Sequence, residues 1–405
     1  MPSNQFPKLR ALDIRPIVHE GRPCFLLRDP MQLSDSMLTI SQLLGPLLLL
    51  CDGTHDRDAI REKCAAYYGL PLDRNTVNVV LNTLDDALMF ENERFFAARA
   101  AAVEAYRSAP FRVPFLAGQS YPADPDELRE LLTEYLDEAD DVETHTGALR
   151  GMLSPHIDYE RGGHVYAAVW KRAAQAARAA DLVVLFGTDH YGDRGRLTLT
   201  CQNYATPWGV LPTPTSMVDE IVAALGSQVL EHELRHCGEH SIELVATWLH
   251  FIRGGEPVEL LPILVGSFGD FTRRGNGTPD QDEEMNALLD VLKRTTQGKR
   301  VLVVASGDMA HVGPAFDGQP LDQAGKRAIR ASDDVLLGCM EAGDAQGFFK
   351  AIQRIGDENN ICGLPPLYLA LRLLGATTGE RVAYDQCPAD DHDTSIVSVG
   401  GAVFT

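Results

Sequence analysis

The stretch Ser154-Pro155-His156-Ile157-Asp158-Tyr159-Glu160-Arg161-Gly162-Gly163 decides the fold of this chain. Residues 149–153 ahead of it are mostly apolar, and residues 164–180 after it are rich in alanine with a helical stripe. A short strand, a turn that carries polar side chains and a helix form a strand-to-helix loop. In an open α/β sheet, such loops meet at the carboxyl ends of the strands, where ligands bind. The sequence therefore predicts an α/β fold with a site around His156.

The composition limits what the chain can bind and where it works. With 405 residues, of which 45% are apolar, the chain is long enough for two domains with cores of their own. The net charge of −21 argues against a nucleic-acid surface, which needs a basic stripe. The eight cysteines form no CxxC pair, which is typical of a reduced cytosolic protein. No secretory signal and no membrane-spanning run is present, so we expect a cytoplasmic protein with neither nucleic acid nor membrane as a partner.

Three continuous apolar runs indicate strands that are buried on both faces. They cover residues 181–186, 260–265 and 300–305, and each ends in a polar turn. Helical patterns follow at 241–253, 282–296 and 326–341. The alternation predicts a central, mostly parallel sheet flanked by helices.

Histidines and carboxylates gather after the predicted strands. These residues are His156, His190, His311, Asp158, Asp189 and Asp308. His240 and Glu243 open the predicted helix at 241–253 and are expected to face the same crevice. A lone histidine is usually a surface or core residue, but several at the strand ends of one sheet predict a site for zinc, iron or copper.

Cys362 lies just before a predicted helix at 366–374. A helix N-terminus favours the thiolate form of a cysteine. The thiolate would serve as a metal ligand or as a nucleophile, and the alternative is a small buried hydrophobic residue.

Residues 1–98 have a pattern of their own. A turn at 21–23 predicts a hairpin, helical patterns cover 36–51, 57–68 and 74–87, and 88–95 suits a returning strand. This order predicts a small winged-helix α+β domain, followed by a linker helix over 99–114 and a larger domain over 115–405. Residues 51–95 carry nine acidic and five basic side chains, the reverse of what binding to DNA phosphates requires.

The order of elements in 1–98, with LCDGTHDRDAI at 50–60 between the first two helices, resembles the PqqD-like peptide-recognition domains. Those domains accompany radical-SAM enzymes that modify peptides. The resemblance implies a leader or substrate peptide and a radical-SAM protein as partners. The alternative is a small helical domain that merely packs on the larger one.

Six motifs in 115–405 resemble those of the Memo family, whose bacterial members are called AmmeMemoRadiSam system protein B. In chain order they are SPHIDYERGG, GTDHYG, EHSIE, PILVGSF, SGDMAHVG and ICG, and AGQSYPADPDEL precedes them. The resemblance implies a fold similar to that of the class III extradiol ring-cleaving dioxygenases, which hold non-haem iron.

The same resemblance implies roles for the site residues. The ligands of one metal ion would be His156, His190 and Cys362, and the candidate catalytic residues would be Asp308, His311 and His240. Two departures from the family pattern stand beside the ligands: Asp189-His190-Tyr191 replaces Ser-His-His, and Ile157-Asp158 replaces Ala-Gly. A cysteine in place of the dioxygenase glutamate makes the site softer, which favours copper or zinc and leaves iron open.

Three hypotheses about function follow. The first is a metal-dependent oxidoreductase with dioxygenase-like activity, linked to a radical-SAM peptide-modification system. The second is a non-catalytic protein that binds a peptide or partner and keeps the pocket as a vestige. The third uses Cys362 as a thiol nucleophile with a histidine as its base.

Overall fold

The computed structural model describes residues 6–405 except 32, 35, 140, 141, 146, 193 and 194. Residues 1–5, from which the absence of a secretory signal was partly inferred, lie outside the described residues. The sequence also predicts a solvated loop over 140–147, and part of that loop lies outside them too. The chain divides into two compact units, Met1–Ser108 and Ala109–Thr405. The helix Glu93–Ser108 falls inside the first unit, whereas the sequence divides the chain at 98 and 114.

The first unit combines a small antiparallel sheet with helices. Its elements are β1 (Asp13–His19), β2 (Arg22–Arg28), β3 (Leu38–Ser41), α1 (Gly45–Leu49), α2 (Arg57–Tyr68), α3 (Arg74–Asp86) and α4 (Glu93–Ser108). The middle strand β2 pairs with both β1 and β3. The carboxylates of Asp56 and Asp73 cap α2 and α3, which fixes where these helices begin. Leu27, Ile60 and Leu81 are fully buried in the core of this unit.

Two predicted elements of this unit take another form. Leu38–Ser41 was predicted as the start of a helix but is a strand, since Leu38 and Ile40 alternate with polar residues and β2 supplies a hydrogen-bonding partner. Helix remains only at Gly45–Leu49 within the predicted range 36–51. The stretch predicted to return as a strand, 88–95, contains a β-bridge between Leu9 and Phe90 before α4 begins.

The second unit is built on an eight-stranded sheet. The strands of this unit, of which all but β7 and β8 belong to that sheet, are β4 (Gly151–Ser154), β5 (Leu182–Asp189), β6 (Leu197–Leu199), β7 (Tyr204–Thr206), β8 (Gly209–Leu211), β9 (Glu259–Gly266), β10 (Val301–Ser306), β11 (His311–Val312), β12 (Gly379–Pro388) and β13 (Ile396–Phe404). Its helices are α5 (Pro125–Glu138), α6 (Tyr159–Ala179), α7 (Thr215–Leu225), α8 (Arg235–Gly238), α9 (His240–Ile252), α10 (Gly269–Thr272), α11 (Glu283–Thr295), α12 (Gln323–Glu341), α13 (Ala345–Arg354) and α14 (Leu364–Leu374). The strands β7 and β8 form a separate hairpin.

Four parallel strands form the centre of the large sheet, in the order β4-β10-β5-β9. Antiparallel strands extend both edges, because β13 pairs with β4 and β6 pairs with β9. Alternate side chains of β5 enter two separate cores. Val183 and Leu185 pack with α6 and α9, whereas Val184 and Phe186 pack with α11 and α14. The prediction of a mostly parallel sheet flanked by helices is confirmed.

None of the described helices combines the length and the apolar composition that crossing a lipid bilayer requires.

Candidate metal centre

The carboxyl ends of β4, β10 and β5 lie side by side at one edge of the sheet. The strand β10 enters the sheet between two strands that come earlier in the chain, so this edge is a topological switch point, where ligands bind in α/β proteins. His156 follows β4, Asp308 follows β10 and His190 follows β5. The imidazole centroids of His156 and His190 are 5.1 Å apart. The fold therefore brings these residues together.

Cys362 reaches the same edge from the loop before α14. Its Sγ lies 3.2 Å from Nε2 of His156, and its carbonyl oxygen accepts a hydrogen bond of 3.0 Å from the Thr188 hydroxyl. One ligand atom each from His156, His190 and Cys362 lie within 4.8 Å of one another. This spacing suits one ion held by two imidazoles and a thiolate.

A hydrogen bond at Nδ1 of His156 leaves a lone pair on Nε2, the ring nitrogen beside Sγ of Cys362. The Ser306 hydroxyl donates to the Ser241 carbonyl oxygen at 2.6 Å, so its oxygen is left to accept from Nδ1 of His156 at 3.3 Å. Nδ1 then carries the proton, and Nε2 keeps a lone pair. A neutral imidazole fixed through its other nitrogen is the usual form of a metal-binding histidine.

Sequence reasoning missed Glu239, which contacts two of the histidines. Its carboxylate lies 3.0 Å from Nδ1 of His190 and 3.1 Å from Nδ1 of His240. It also accepts a hydrogen bond of 3.0 Å from the Ser241 N–H and so caps α9. A carboxylate behind a ligand histidine fixes the ring and raises its basicity. The signal that could have found Glu239 is its position as the cap of a helix, next to His240.

Glu243 was predicted to face the crevice, and the structure corrects this prediction. Its carboxylate accepts hydrogen bonds from the Leu116 N–H at 2.7 Å and the Tyr121 hydroxyl at 2.6 Å, and it pairs with Arg112. Arg112 also donates to the His236 carbonyl oxygen at 2.7 Å. Glu243 therefore ties the segment before α5 to α9 and takes no part in the site.

Two further carboxylates near the ligands have other partners. Asp189 forms an ion pair of 2.7 Å with Arg235, and its side chain is fully buried. The Asp158 carboxylate caps α6 by accepting a hydrogen bond of 3.1 Å from the Arg161 N–H. It also pairs with the Arg161 guanidinium. The carboxylate that Asp158 adds near His156 therefore stabilises the start of α6.

Asp308 is buried beside His156. One carboxylate oxygen accepts a hydrogen bond of 2.9 Å from the His156 N–H, and the other lies 3.8 Å from Nε2 of the same residue. Burial raises the pKa of Asp308 to about 6, although the hydrogen bond from His156 acts in the opposite direction. A carboxyl group with this pKa can both accept and release a proton near neutral pH.

His311 lies next to Asp308 and Cys362, and one ligand atom from each of the three lie within 4.8 Å of one another. Its Nδ1 is 3.2 Å from the Met309 carbonyl oxygen and 3.1 Å from that of Asn360. Because both partners only accept, Nδ1 carries the proton and Nε2 has the lone pair. Burial and the charge of His190 lower the pKa of His311 to about 4, so the ring is neutral at pH 7.

Burial and neighbouring charges set the protonation of the three candidate ligands. Burial lowers the pKa of His156 well below its usual range. Burial acts in the same direction on His190, but Glu239 and the Cys362 thiol raise its pKa well above the usual value. Burial raises the pKa of Cys362, against the expectation that a helix N-terminus favours its thiolate. This environment disfavours the thiol-nucleophile hypothesis.

A pair of glycines lets the loop of Cys362 cross the loop of Asp308. A Cβ on Gly307 would lie 2.3 Å from the Cα of Gly363, and a Cβ on Gly363 would lie 2.7 Å from the Asp308 carbonyl oxygen. The Gly363 N–H donates to that oxygen at 2.8 Å, and the Asp308 N–H donates to Sγ of Cys362 at 3.3 Å. The two loops are therefore held together through positions that have no room for a side chain.

Two cavities lie at opposite edges of the sheet. The first has a volume of about 180 Å³ and is lined by His190 and Cys362. The second is larger, about 550 Å³, and surrounds Arg150 and Arg300 ahead of β4 and β10. Among its described lining residues there is no imidazole or thiol. The smaller cavity is therefore the one that opens on the candidate ligands.

The donor set fits a borderline or soft metal ion. Each of His156, His190, His240 and His311 has its Nδ1 beside another group of the protein. Nε2 of His156, Nε2 of His190 and the Cys362 thiol form a set that zinc and copper prefer and that iron also accepts.

Comparison with known proteins assigns the family. The model of the family described as Memo-like protein matches residues 112–403. The chain belongs to the Memo-like protein family. This match confirms the resemblance on which the site residues were first assigned, while their roles stay predictions.

Curated relatives of this Memo-like protein include archaeal, bacterial and animal proteins. A MEMO1 family protein of Aquifex aeolicus is 27% identical over 404 residues, which cover 98% of this chain and 99% of the relative. A MEMO1 family protein of Methanopyrus kandleri is 29% identical over 284 residues, 67% of this chain and 91% of the relative. The protein memo-1 homolog of Caenorhabditis elegans is 25% identical over 261 residues, 63% of this chain and 69% of the relative. The Aquifex relative thus also matches the first unit, which the family model leaves out.

Proposed function

We propose that this Memo-like protein binds one metal ion through His156, His190 and Cys362 and acts as a metal-dependent oxidoreductase with dioxygenase-like activity. The observation that carries the proposal is the convergence of two imidazoles and one thiol within 4.8 Å, with Nδ1 of each imidazole held by another side chain. Iron, copper or zinc would supply a Lewis acid at this point, and iron or copper would also exchange electrons.

The residues around the ligands are suited to moving protons. With a pKa of about 6, Asp308 is mostly ionised at pH 7 and accepts a proton from a substrate group beside it. His311 is neutral and presents Nε2 as a second acceptor. The side chain of His240 is 39% exposed and is held by the same carboxylate as His190, which places it to contact a substrate. These three residues are the proposed catalytic groups.

Elemental analysis tests the metal site directly. We expect anaerobically purified wild-type protein to contain about one ion per chain, and Cys362→Ser to lose most of it because serine is a poor ligand for a borderline metal. Cys201→Ser removes an exposed thiol outside the site and is the matched control. Metal-free wild type with an intact fold, even after reconstitution with iron, copper and zinc, would instead favour the non-catalytic hypothesis.

A second proposed function concerns the first unit, which we propose binds a leader or substrate peptide in a radical-SAM peptide-modification system. In support, β1 and β3 are the outer strands of its sheet, and each pairs on one side only with β2 among the described residues. An extended peptide can add to such an edge through backbone hydrogen bonds. Peptides encoded beside the gene should bind the full chain, and Cys362→Ser should bind them equally well. Peptide binding that disappears in Cys362→Ser would count against an independent peptide site.

A further inference from the structure

The cavity beside His190 and Cys362 contains a cation that metal binding does not use. Arg273 follows α10 and lines this cavity, together with Phe268, Leu364 and Asn360. The Arg273 side chain is 51% exposed, whereas Phe268 and Leu364 are buried. The cavity is therefore bordered by an exposed guanidinium and by two of the candidate metal ligands, His190 and Cys362, with buried apolar side chains behind them.

The guanidinium of Arg273 has hydrogen-bond donors to spare. An oxygen of Asp357 lies 3.6 Å away, which is too long for a hydrogen bond. The other oxygen of Asp357 accepts the Ile361 N–H at 2.9 Å, so this carboxylate shapes the turn that leads to Cys362. Within the part of the chain that the structure describes, no hydrogen bond to the Arg273 guanidinium is found. An arginine offers five N–H donors in a planar fork that matches a carboxylate.

The other acidic residue that lines the cavity is already paired. Asp189 forms its ion pair with Arg235 at 2.7 Å and has no exposed side-chain surface. Arg273 therefore has one ion-pair partner among the described lining residues, Asp357 at 3.6 Å. Its N–H donors remain available to the oxygens of an incoming carboxylate.

We propose that this cavity binds a compact organic carboxylate, whose acid group pairs with Arg273 and whose body lies toward His190 and Cys362. The volume of about 180 Å³ leaves room for a small organic body beside the guanidinium. A bidentate arginine–carboxylate pair would fix its orientation toward His190 and Cys362. The role of this ligand as a substrate rests on the proposed function, whereas its binding requires no metal. A free organic acid and the C-terminal carboxylate of a peptide share the same chemistry.

Titration calorimetry on the full-length, metal-free protein tests the site with benzoate and with its neutral isostere, benzamide. We expect Arg273→Gln to weaken benzoate binding by about tenfold or more, because a charge-assisted hydrogen bond is lost, and to leave benzamide binding unchanged. The matched control is Arg274→Gln, which removes the neighbouring exposed arginine that pairs with Asp270 at 2.7 Å. This control should change benzoate binding by less than about twofold.

A second arm separates the two sources of the carboxylate. N-acetyl-alanyl-alanine is compared with benzoate: tighter binding of the peptide acid, lost in Arg273→Gln, supports a peptide C-terminus, and tighter binding of benzoate supports a free acid. Equal losses in Arg273→Gln and Arg274→Gln, equal binding of benzoate and benzamide, or binding of neither acid would overturn the inference. If the chain binds either acid but takes up no metal, the proposed metal function is contradicted and the carboxylate site is not.

Discussion

Glu239 supports two histidines of the candidate site at once. One carboxylate contacts Nδ1 of both His190 and His240 and also caps the helix on which His240 begins. The pKa of Glu239 lies well below its usual value, because these imidazoles outweigh the effect of burial, which acts in the opposite direction. The orientation of two histidines thus depends on one carboxylate that contacts both rings.

Replacement of Glu239 by glutamine tests this dependence. Glu239→Gln keeps the shape but removes the charge, so we expect the affinity for zinc or copper to fall by about tenfold to a hundredfold, the usual effect of losing a carboxylate behind a ligand histidine. Competition with a chromophoric chelator measures the change. Glu256→Gln, at an exposed position, is the control and should bind as wild type does. An unchanged affinity in Glu239→Gln would show that His190 needs no such support.

The affinity for metal should depend steeply on pH. The pKa values of His190 and Cys362 are both raised, so each ligand holds its proton more tightly in the metal-free chain than a free side chain does. A metal ion must displace both protons, so its affinity should rise with pH, by up to about a hundredfold per pH unit. Chelator competition at several pH values, corrected for the chelator, measures this slope. A flat profile would contradict protonated ligands.

The crossing of Gly307 and Gly363 gives a prediction about Cys362. In Gly363→Ala the new Cβ meets the Asp308 carbonyl oxygen at 2.7 Å, so the loop has to move and the thiol moves with it. We expect the metal content to fall by at least about half while the far-ultraviolet circular dichroism stays the same. Gly338→Ala adds a methyl group in open space on α12 and should keep its metal. Equal metal in both variants would rule out this role for the crossing.

The sequence could place two of the candidate ligands but not the residues behind them. His156 and His190 follow apolar runs, and the strand ends of a parallel sheet converge, whereas Cys362 precedes a helix and was assigned through the resemblance to the family. The choice between Glu239 and Glu243 depends on contacts with 112–121, which are distant in the chain and leave no local pattern. Sequence reasoning therefore selected the wrong glutamate.

The helix α12 carries a buried acid that faces β12. Asp333 on α12 is fully buried, and its carboxylate accepts a hydrogen bond of 2.7 Å from the Tyr384 hydroxyl of β12. Burial raises the pKa of Asp333 from 3.8 to about 6. The unfolded chain loses this proton more easily than the folded chain does. The free energy of unfolding therefore falls as the pH rises from about 4 to about 6, and the loss disappears below about pH 4.

Asp333→Asn should therefore stabilise the protein at high pH. We expect the free energy of unfolding at pH 8 to rise by about 1 to 3 kcal/mol, and the difference from wild type to close as the pH falls to 4. Urea unfolding at both pH values measures this. Asp334→Asn is the control, since the pKa of Asp334 is lowered, despite some burial, by Arg330 and Arg381, and its loss should not stabilise. A constant difference at all pH values would mean that ionisation is not the cause.

At the level of secondary structure, long apolar runs were the reliable signal. The strands β5, β9 and β10 were predicted because they are buried on both faces and have no competing pattern. The short strand β3 was assigned to a helix, since four residues beside a leucine-rich run do not reveal a period. The edge strand β12 is half exposed and polar, so it gave no comparable signal.

At the scale of the whole molecule, the candidate metal centre belongs to one of the two units. The candidate ligands, and the groups that orient them, all lie within Ala109–Thr405. We therefore expect a chain that starts at Ala109 to take up the same amount of metal as the full chain, measured by elemental analysis. The control is the same shortened chain with Cys362→Ser, which should lose its metal. A folded but metal-free fragment would show that the first unit contributes to the site.

The close crossing at Gly307 and Gly363 also has a consequence for how such a chain can evolve. Each position excludes even a methyl group because of the other loop, so a mutation at one is tolerated only after a compensating shift at the other. Drift at these two sites is thus linked, although they lie far apart in the gene. Among relatives, we expect both glycines to persist or to disappear together, and the sulfur ligand to disappear with them.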